Sequence, residues 1–104
     1  MPAWLSRDRT AWSASTVTVV GVNHRGASIE KRERLAYDSI EAGALLRRMR
    51  GHAGAECVLL STCNRTELYL WTPSADPAPE VWSEFSRRID ADASTIGYVH
   101  RDRE

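Results

Sequence analysis

The chain predicts an α+β domain, an antiparallel sheet with helices packed on one face. Three features of the sequence predict it. The run Thr16–Asn23 is β-branched and apolar, two further strand-like segments lie only three residues apart, and a helical pattern flanks that pair on either side. Parallel strands need crossovers of a dozen residues or more, so so short a link between Glu56–Thr62 and Thr66–Thr72 imposes an antiparallel hairpin.

Each element has its own warrant. Thr16–Asn23 reads as a strand buried on both faces or nearly so, because the run is β-branched and apolar and bounded by polar residues on both sides. Ser28–Ala36 reads as a short charged helix with Ile29, Leu35 and Ala36 as its apolar anchors. Asp38–Arg50 carries a capping box, Asp38 with Glu41 three residues on, and Gly51 stands where a C′ glycine belongs. Ile40, Ala44, Leu45 and Met49 line its inner side, and the basic last turn suits the helix dipole. Glu56–Thr62 is a strand through Cys57, Val58, Leu59 and Leu60. In Thr66–Thr72, Leu68 and Leu70 face one way and Glu67, Tyr69 and Trp71 the other. Asp76 and Pro77 fit an N-cap and first helical position, opening a helix that turns Val81, Trp82, Phe85 and Ile89 inward. After the break at Ser94–Gly97, Tyr98–His100 begins a last strand. The order β-α-(α)-β-β-α-β is that of a ferredoxin-like sandwich, preceded by a flexible extension over residues 1–16.

Composition narrows the function. A chain of 104 residues with 42% hydrophobic and 27% charged residues has the material for one core. Lys+Arg and Asp+Glu both number 14, so a general polyanion binder is excluded and any nucleic-acid contact must use a local patch. The basic residues are arginines except Lys31, a bias that suits bidentate contact with carboxylate or phosphate. Two cysteines six residues apart in an extended segment lie roughly 20 Å from each other, beyond the ~7 Å limit for a disulfide. Free thiols, with no long apolar run and no signal-like opening, indicate a cytoplasmic protein.

Ser61-Thr62-Cys63-Asn64-Arg65-Thr66-Glu67 concentrates the chemistry. It sets a thiol in a tight turn between apolar strands, beside hydroxyls, an amide and a guanidinium. The thiolate is the nucleophilic form, and a neighbouring cation favours it. Cys57, inside the apolar strand, reads as core. Five Cys and His residues show no C-x-x-C pair and no H-x-x-x-H spacing, so no metal site is expected.

Three segments resemble a known family in order and interval: Gly21-Val22-Asn23-His24-Arg25, Glu33-Arg34-Leu35-Ala36, and Leu60-Ser61-Thr62-Cys63-Asn64-Arg65-Thr66-Glu67-Leu68-Tyr69. They resemble the N-terminal domain of glutamyl-tRNA reductase, over about residues 17–104. The resemblance implies a homodimeric enzyme that reduces the ester-linked glutamate of glutamyl-tRNA to glutamate-1-semialdehyde with NADPH, for tetrapyrrole (porphyrin) synthesis. Carried over to this sequence, Cys63 attacks the aminoacyl ester and forms a thioester. Thr62, Cys63, Asn64 and Arg65 match the substrate-binding stretch, with Arg65 suited to grip the free γ-carboxylate in a bidentate fork. Tyr98-Val99-His100-Arg101-Asp102 is similar to the family segment bearing a histidine important for activity, which makes His100 the candidate for proton transfer. His24 falls in a motif position and suits a structural or substrate-shaping role.

Gly26-Ala27-Ser28 departs from the Thr-Ala-Pro common in the family, and Ser28 can cap the following helix instead. No G-x-G-x-x-G follows a strand, so no NADPH site is expected in this chain, and the NADPH-binding and dimerisation domains are expected to lie outside it. Two rival classes stay open, a non-catalytic ferredoxin-like binding module and a small thiol esterase using Cys63 with His100.

Overall fold

The structure is a computed structural model that describes residues 16–53, 56–72 and 76–103; the extension expected at the N-terminus falls almost wholly outside them. Strand β1 (Thr16–Asn23) leads into helices α1 (Ile29–Arg34) and α2 (Ser39–Ala53), followed by the hairpin β2 (Glu56–Ser61) and β3 (Arg65–Thr72). Helix α3 (Ala78–Ile89), a 3₁₀ turn (Ala93–Thr95) and β4 (Tyr98–Arg103) complete the described chain. The four strands pair in the order β2-β3-β1-β4, every pair antiparallel. Each helical crossover therefore skips one strand, β3 on the way from β1 to β2 and β1 on the way from β3 to β4. That is the interleaved ferredoxin-like topology the element order predicted.

The core lies between the sheet and the helices. Thr18, Val20 and Val22 of β1 stand opposite Leu70, Leu68 and Thr66 of β3, and all six are buried. Leu35, Leu45, Met49, Val81, Phe85 and Ile89 cover them from the helical side. Phe85 takes the edge of Trp82 at 6.2 Å and lies 6.4 Å from Tyr37. On the other face of β1, Val17 and Val19 are only half-buried, so this strand is buried on one face rather than both. An apolar run does not by itself distinguish the two cases.

Several local expectations shift. The capping box forms reciprocally: Glu41 N–H donates to Asp38 Oδ1 at 2.8 Å, and Asp38 N–H to Glu41 Oε1 at 3.1 Å. Helix α2 nevertheless continues through Gly51 to Ala53, because glycine permits a stop without imposing one. Ile40 is 81% exposed; five residues before Leu45, it lies about 140° around the helix from that core position. Ile29 is likewise exposed, and α1 itself buries no residue, leaving Leu35 at its C-cap as the anchor. Helix α3 starts at Ala78, one residue later than expected, with Asp76 Oδ1 accepting from Ala78 N–H at 3.1 Å. Asp90 then ends it in the left-handed region at φ 54°.

Two arginine contacts tie the helices together. Arg48 of α2 donates through Nε and Nη2 to both oxygens of the buried Glu84 of α3, at 2.7 and 2.8 Å, and the paired guanidinium lowers the Glu84 pKa. Arg88 of α3 reaches the corner between α1 and α2. Its Nε donates to Arg34 O at 2.8 Å, Nη2 to Ala36 O at 2.8 Å and Nη1 to Glu41 Oε2 at 3.1 Å. The guanidinium carbon lies 3.9 Å from the centre of the Tyr37 ring. These bonds satisfy carbonyls at the end of α1 that have no partner within the helix.

Arg88→Lys keeps the charge but loses the fork. Urea denaturation is expected to show a loss of about 1–3 kcal/mol, the scale of a charge-assisted hydrogen bond or two.

Candidate active site

The β2–β3 turn and the loop after β1 meet at one end of the sheet, because Asn23 stands opposite Arg65 in the β1–β3 register. The turn is built by Thr62. Its N–H donates to Arg65 O at 2.8 Å, while its hydroxyl oxygen accepts from the N–H groups of Asn64 and Arg65, each at 3.2 Å. Asp90 is the only described non-glycine residue with positive φ, so Cys63 and Asn64 do not form the left-handed turn usual in tight hairpins. The Thr62 hydroxyl takes the bond that such a turn gives to a backbone carbonyl. Cys63 is left exposed at the tip.

A second contact holds the turn from the helical side. Arg32 of α1 donates through Nη1 to Cys63 O and to Asn64 Oδ1, both at 3.3 Å. Helix α1 is itself secured at its C-terminal corner, where Leu35 O accepts from Thr66 Oγ1 at 2.9 Å and Tyr37 N–H donates to Ser61 Oγ at 3.1 Å. Nothing in the linear pattern singles out Arg32, 31 residues before the cysteine; only the fold brings it there.

Cys63 and Asn64 line two clefts. One, of about 560 Å³, is also lined by Asn23, His24, Arg25, Thr62 and Arg65. The other, of about 450 Å³, is lined by Ile29, Arg32, Glu33 and Ala36 of α1 and its end. The first gathers two guanidinium groups and no carboxylate; the second sets one arginine beside one glutamate. The loop between β1 and α1 is folded by Asn23, whose Oδ1 accepts from Arg25 N–H at 3.0 Å and whose carbonyl accepts from Gly26 and Ala27. A side chain at Gly26 would place its Cβ against Ile96 O, so in this chain the loop as packed leaves no room for one.

The open face of the sheet adds a feature that alternation alone did not reveal. Glu67 points away from the helices, as its strand position requires, yet it is 7% exposed. Its carboxylate accepts from Tyr69 Oη at 2.8 Å and from Tyr98 Oη through a short bond, with Arg65 Nε 3.8 Å away. It lies over Gly21, which faces both Glu67 and Tyr98 in the register and where a Cβ would come within 2.8 Å of each. Burial and the Glu67 carboxylate both push the Tyr98 hydroxyl well above its ordinary pKa.

Thr62, Cys63, Asn64 and Arg65 are thus brought together, and His24 and Arg25 join them. His100 is not. On β4 it pairs with Val19 of β1, with its ring 5.3 Å from that of Tyr98. Four register positions separate Val19 from Asn23, about 13 Å along the strands, and β1 lies between β4 and β3. Cys57 is half-buried, its thiol directed at Leu46 O at 3.9 Å, and burial raises its pKa. Among the described residues, no three His, Cys, Asp or Glu side chains are grouped to hold a metal ion, and no helix is long and apolar enough to cross a membrane.

Cys63 is thus an exposed cysteine on a side-chain-braced hairpin turn, between two clefts of an antiparallel α+β domain. Residues 20–104 match the family described as glutamyl-tRNAGlu reductase, N-terminal domain, and the chain belongs to that family. It is 43% identical over 86 residues to a glutamyl-tRNA reductase of Alcanivorax borkumensis, covering 81% of this chain and 21% of that protein. A glutamyl-tRNA reductase of Marinobacter nauticus is 41% identical over 92 residues, covering 85% and 21%. The solved glutamyl-tRNA reductase of Methanopyrus kandleri superposes with a TM-score of 0.54 at 28% identity, covering 83% of this chain and 19% of that one. The chain thus spans about a fifth of the length of each relative.

Iodoacetamide at neutral pH is expected to label Cys63 well before Cys57, read by peptide mass, because one thiol is exposed and the other is half-buried with a raised pKa. Equal labelling would contradict this arrangement. Gly21→Ala is expected to cost about 1–3 kcal/mol in urea denaturation, the usual range for overpacking, since Glu67 and Tyr98 must both move.

Proposed function

We propose that this domain carries the acyl-transfer half of glutamyl-tRNA reduction, with Cys63 as the nucleophile. The observation that carries the reading is the Thr62-built turn, which presents the thiol beside a cleft holding Arg25 and Arg65. The Cys63 thiolate attacks the carbonyl carbon of the glutamyl ester. An S–C bond forms, the C–O bond to the terminal ribose breaks, and the ribose oxygen leaves with the electron pair and takes a proton from water. The product on the protein is a γ-carboxylate-bearing thioester. Arg65 binds that carboxylate through its fork, with Arg25 adding charge and Thr62 and Asn64 shaping the turn. His24 shapes the same cleft. His100, set far along the sheet, does not reach the thiol from its position on β4, so its contribution to proton transfer is not part of this step.

The family resemblance extends the proposal to the whole enzyme: a cytoplasmic homodimer acting on glutamyl-tRNA, with NADPH reducing the thioester to glutamate-1-semialdehyde in tetrapyrrole synthesis. The described residues do not fit a nicotinamide nucleotide. Such sites sit at the carboxyl ends of parallel strands, with a glycine-rich turn into a helix, whereas here every neighbouring pair is antiparallel and no such turn follows β1. In this proposal the hydride reaches the Cys63 thioester from a nicotinamide held by other parts of the enzyme.

Cys63→Ser is expected to abolish covalent capture of labelled glutamate from glutamyl-tRNA, whereas Cys57→Ser retains it. Capture that survives in the Cys63 variant and fails in the Cys57 variant would overturn the assignment. Arg65→Lys is expected to reduce discrimination between glutamyl- and glutaminyl-tRNA by about tenfold, the equivalent of one charge-assisted hydrogen bond; unchanged discrimination would remove Arg65 from the γ-carboxylate. Incubation of this chain with glutamyl-tRNA is expected to release glutamate slowly, with no semialdehyde whether or not NADPH is added.

A further inference from the structure

We propose that the cleft between α1 and the Cys63 turn receives the leaving group of the acyl transfer, the terminal nucleoside of the aminoacylated RNA, across the sulfur from the Arg25–Arg65 cleft to which the proposed function assigns the glutamyl chain. The proposal rests on Cys63 being the nucleophile. When a thiolate adds to an ester carbonyl, the bonds to the acyl chain and to the departing oxygen diverge from the attacked carbon. The two substituents must then occupy different spaces beside the sulfur. Cys63 borders two such spaces, of about 560 and 450 Å³, both within the range of small-molecule sites.

Charge assigns them. A glutamyl ester carries a free γ-carboxylate, and the cleft lined by Arg25 and Arg65 keeps an excess of positive charge, with Glu67 pairing Arg65 alone. The α1 cleft is lined by one cation, Arg32, and one anion, Glu33, so an anion gains little there. The chemistry of the α1 cleft suits a nucleoside instead. Ile29, 65% exposed, and the exposed Ala36 offer an apolar surface to the face of a base, and bases also stack on guanidinium planes such as that of Arg32. The Glu33 carboxylate can accept a hydrogen bond from a ribose hydroxyl. This also accounts for a large aliphatic side chain in solvent on a helix that buries none of its own residues.

Arg32 links the two functions. The guanidinium that lines the nucleoside cleft also donates to Cys63 O and Asn64 Oδ1, so a base resting on it bears on the turn that presents the thiol.

The test compares acyl transfer to this chain from glutamyl-tRNA and from the α-ethyl thioester of glutamate, which has no nucleoside, by intact mass. Ile29→Asp is expected to lower the ratio of the two rates about tenfold, the scale of one lost base-stacking contact. Arg65→Ala slows both and leaves the ratio nearly constant. A ratio unmoved by Ile29→Asp overturns the proposal, whereas capture that persists in Cys63→Ser overturns the underlying nucleophile assignment and not the cleft. A binding measurement decides the matter independently of turnover. The trinucleotide CCA, added to isotope-labelled chain, is expected to shift amide resonances of Ile29–Ala36. Shifts confined to Asn23–Arg25, or none at millimolar CCA, overturn the assignment.

Discussion

The position of the thiol depends on a guanidinium far from it in sequence. Arg88, on the last helix, binds the carbonyls of Arg34 and Ala36 and the Glu41 carboxylate while lying on the Tyr37 ring. Helix α1 is only six residues long and buries none of them, so neither helix cooperativity nor burial of its own residues fixes it. Its orientation is set from its C-terminal corner, by Arg88, by Leu35 in the core and by the Thr66 hydroxyl on Leu35 O. Because α1 carries Arg32, and Arg32 holds the Cys63 carbonyl, the chain of contacts runs from α3 through α1 to the Cys63 turn.

The turn itself answers a different constraint. A thiol inside a strand would face either the core or the sheet surface, and Cys57 shows the outcome: half-buried, with its proton held by a raised pKa. Presenting a cysteine at a hairpin tip avoids that burial but leaves backbone groups to be satisfied. One threonine does so, its hydroxyl oxygen accepting two N–H groups. The turn is thereby ordered without glycine, and the positions at its tip remain available for a thiol and an amide.

Glu67 represents a third kind of constraint. A carboxylate on the open face of a sheet would ordinarily stay in water, yet two tyrosine hydroxyls and the Arg65 guanidinium surround it above a glycine that leaves room for them. Arg65 is thereby flanked by an anion on its own strand, which limits where its fork can point. The same carboxylate joins β3 to the first residue of β4 across β1. One end of the sheet thus becomes a single hydrogen-bonded unit.

Much of this was legible in one dimension. Strand and helix order, the hairpin, the capping box of α2 and the cluster Thr62–Arg65 follow from local rules: side-chain period, turn length and the pairing of a cap with a glutamate three residues on. Where local rules permit more than one outcome, the sequence was a poor guide. Gly51 allowed a helix stop that did not occur, Ile29 and Ile40 looked like core and are exposed, and a continuous apolar β1 proved to be buried on one face. His100 sits in a segment that resembles a functional one, but strand register alone determines how far it stands from the cysteine. Arg32, Arg88 and the Gly21–Glu67–Tyr98 stack could not be read at all, since their partners lie 31 or more residues away. Sequence by itself determined the elements and the nucleophile candidate, which depend on near neighbours; tertiary structure alone decided which charges surround it, because that depends on which distant segments the crossovers bring to the same end of the sheet.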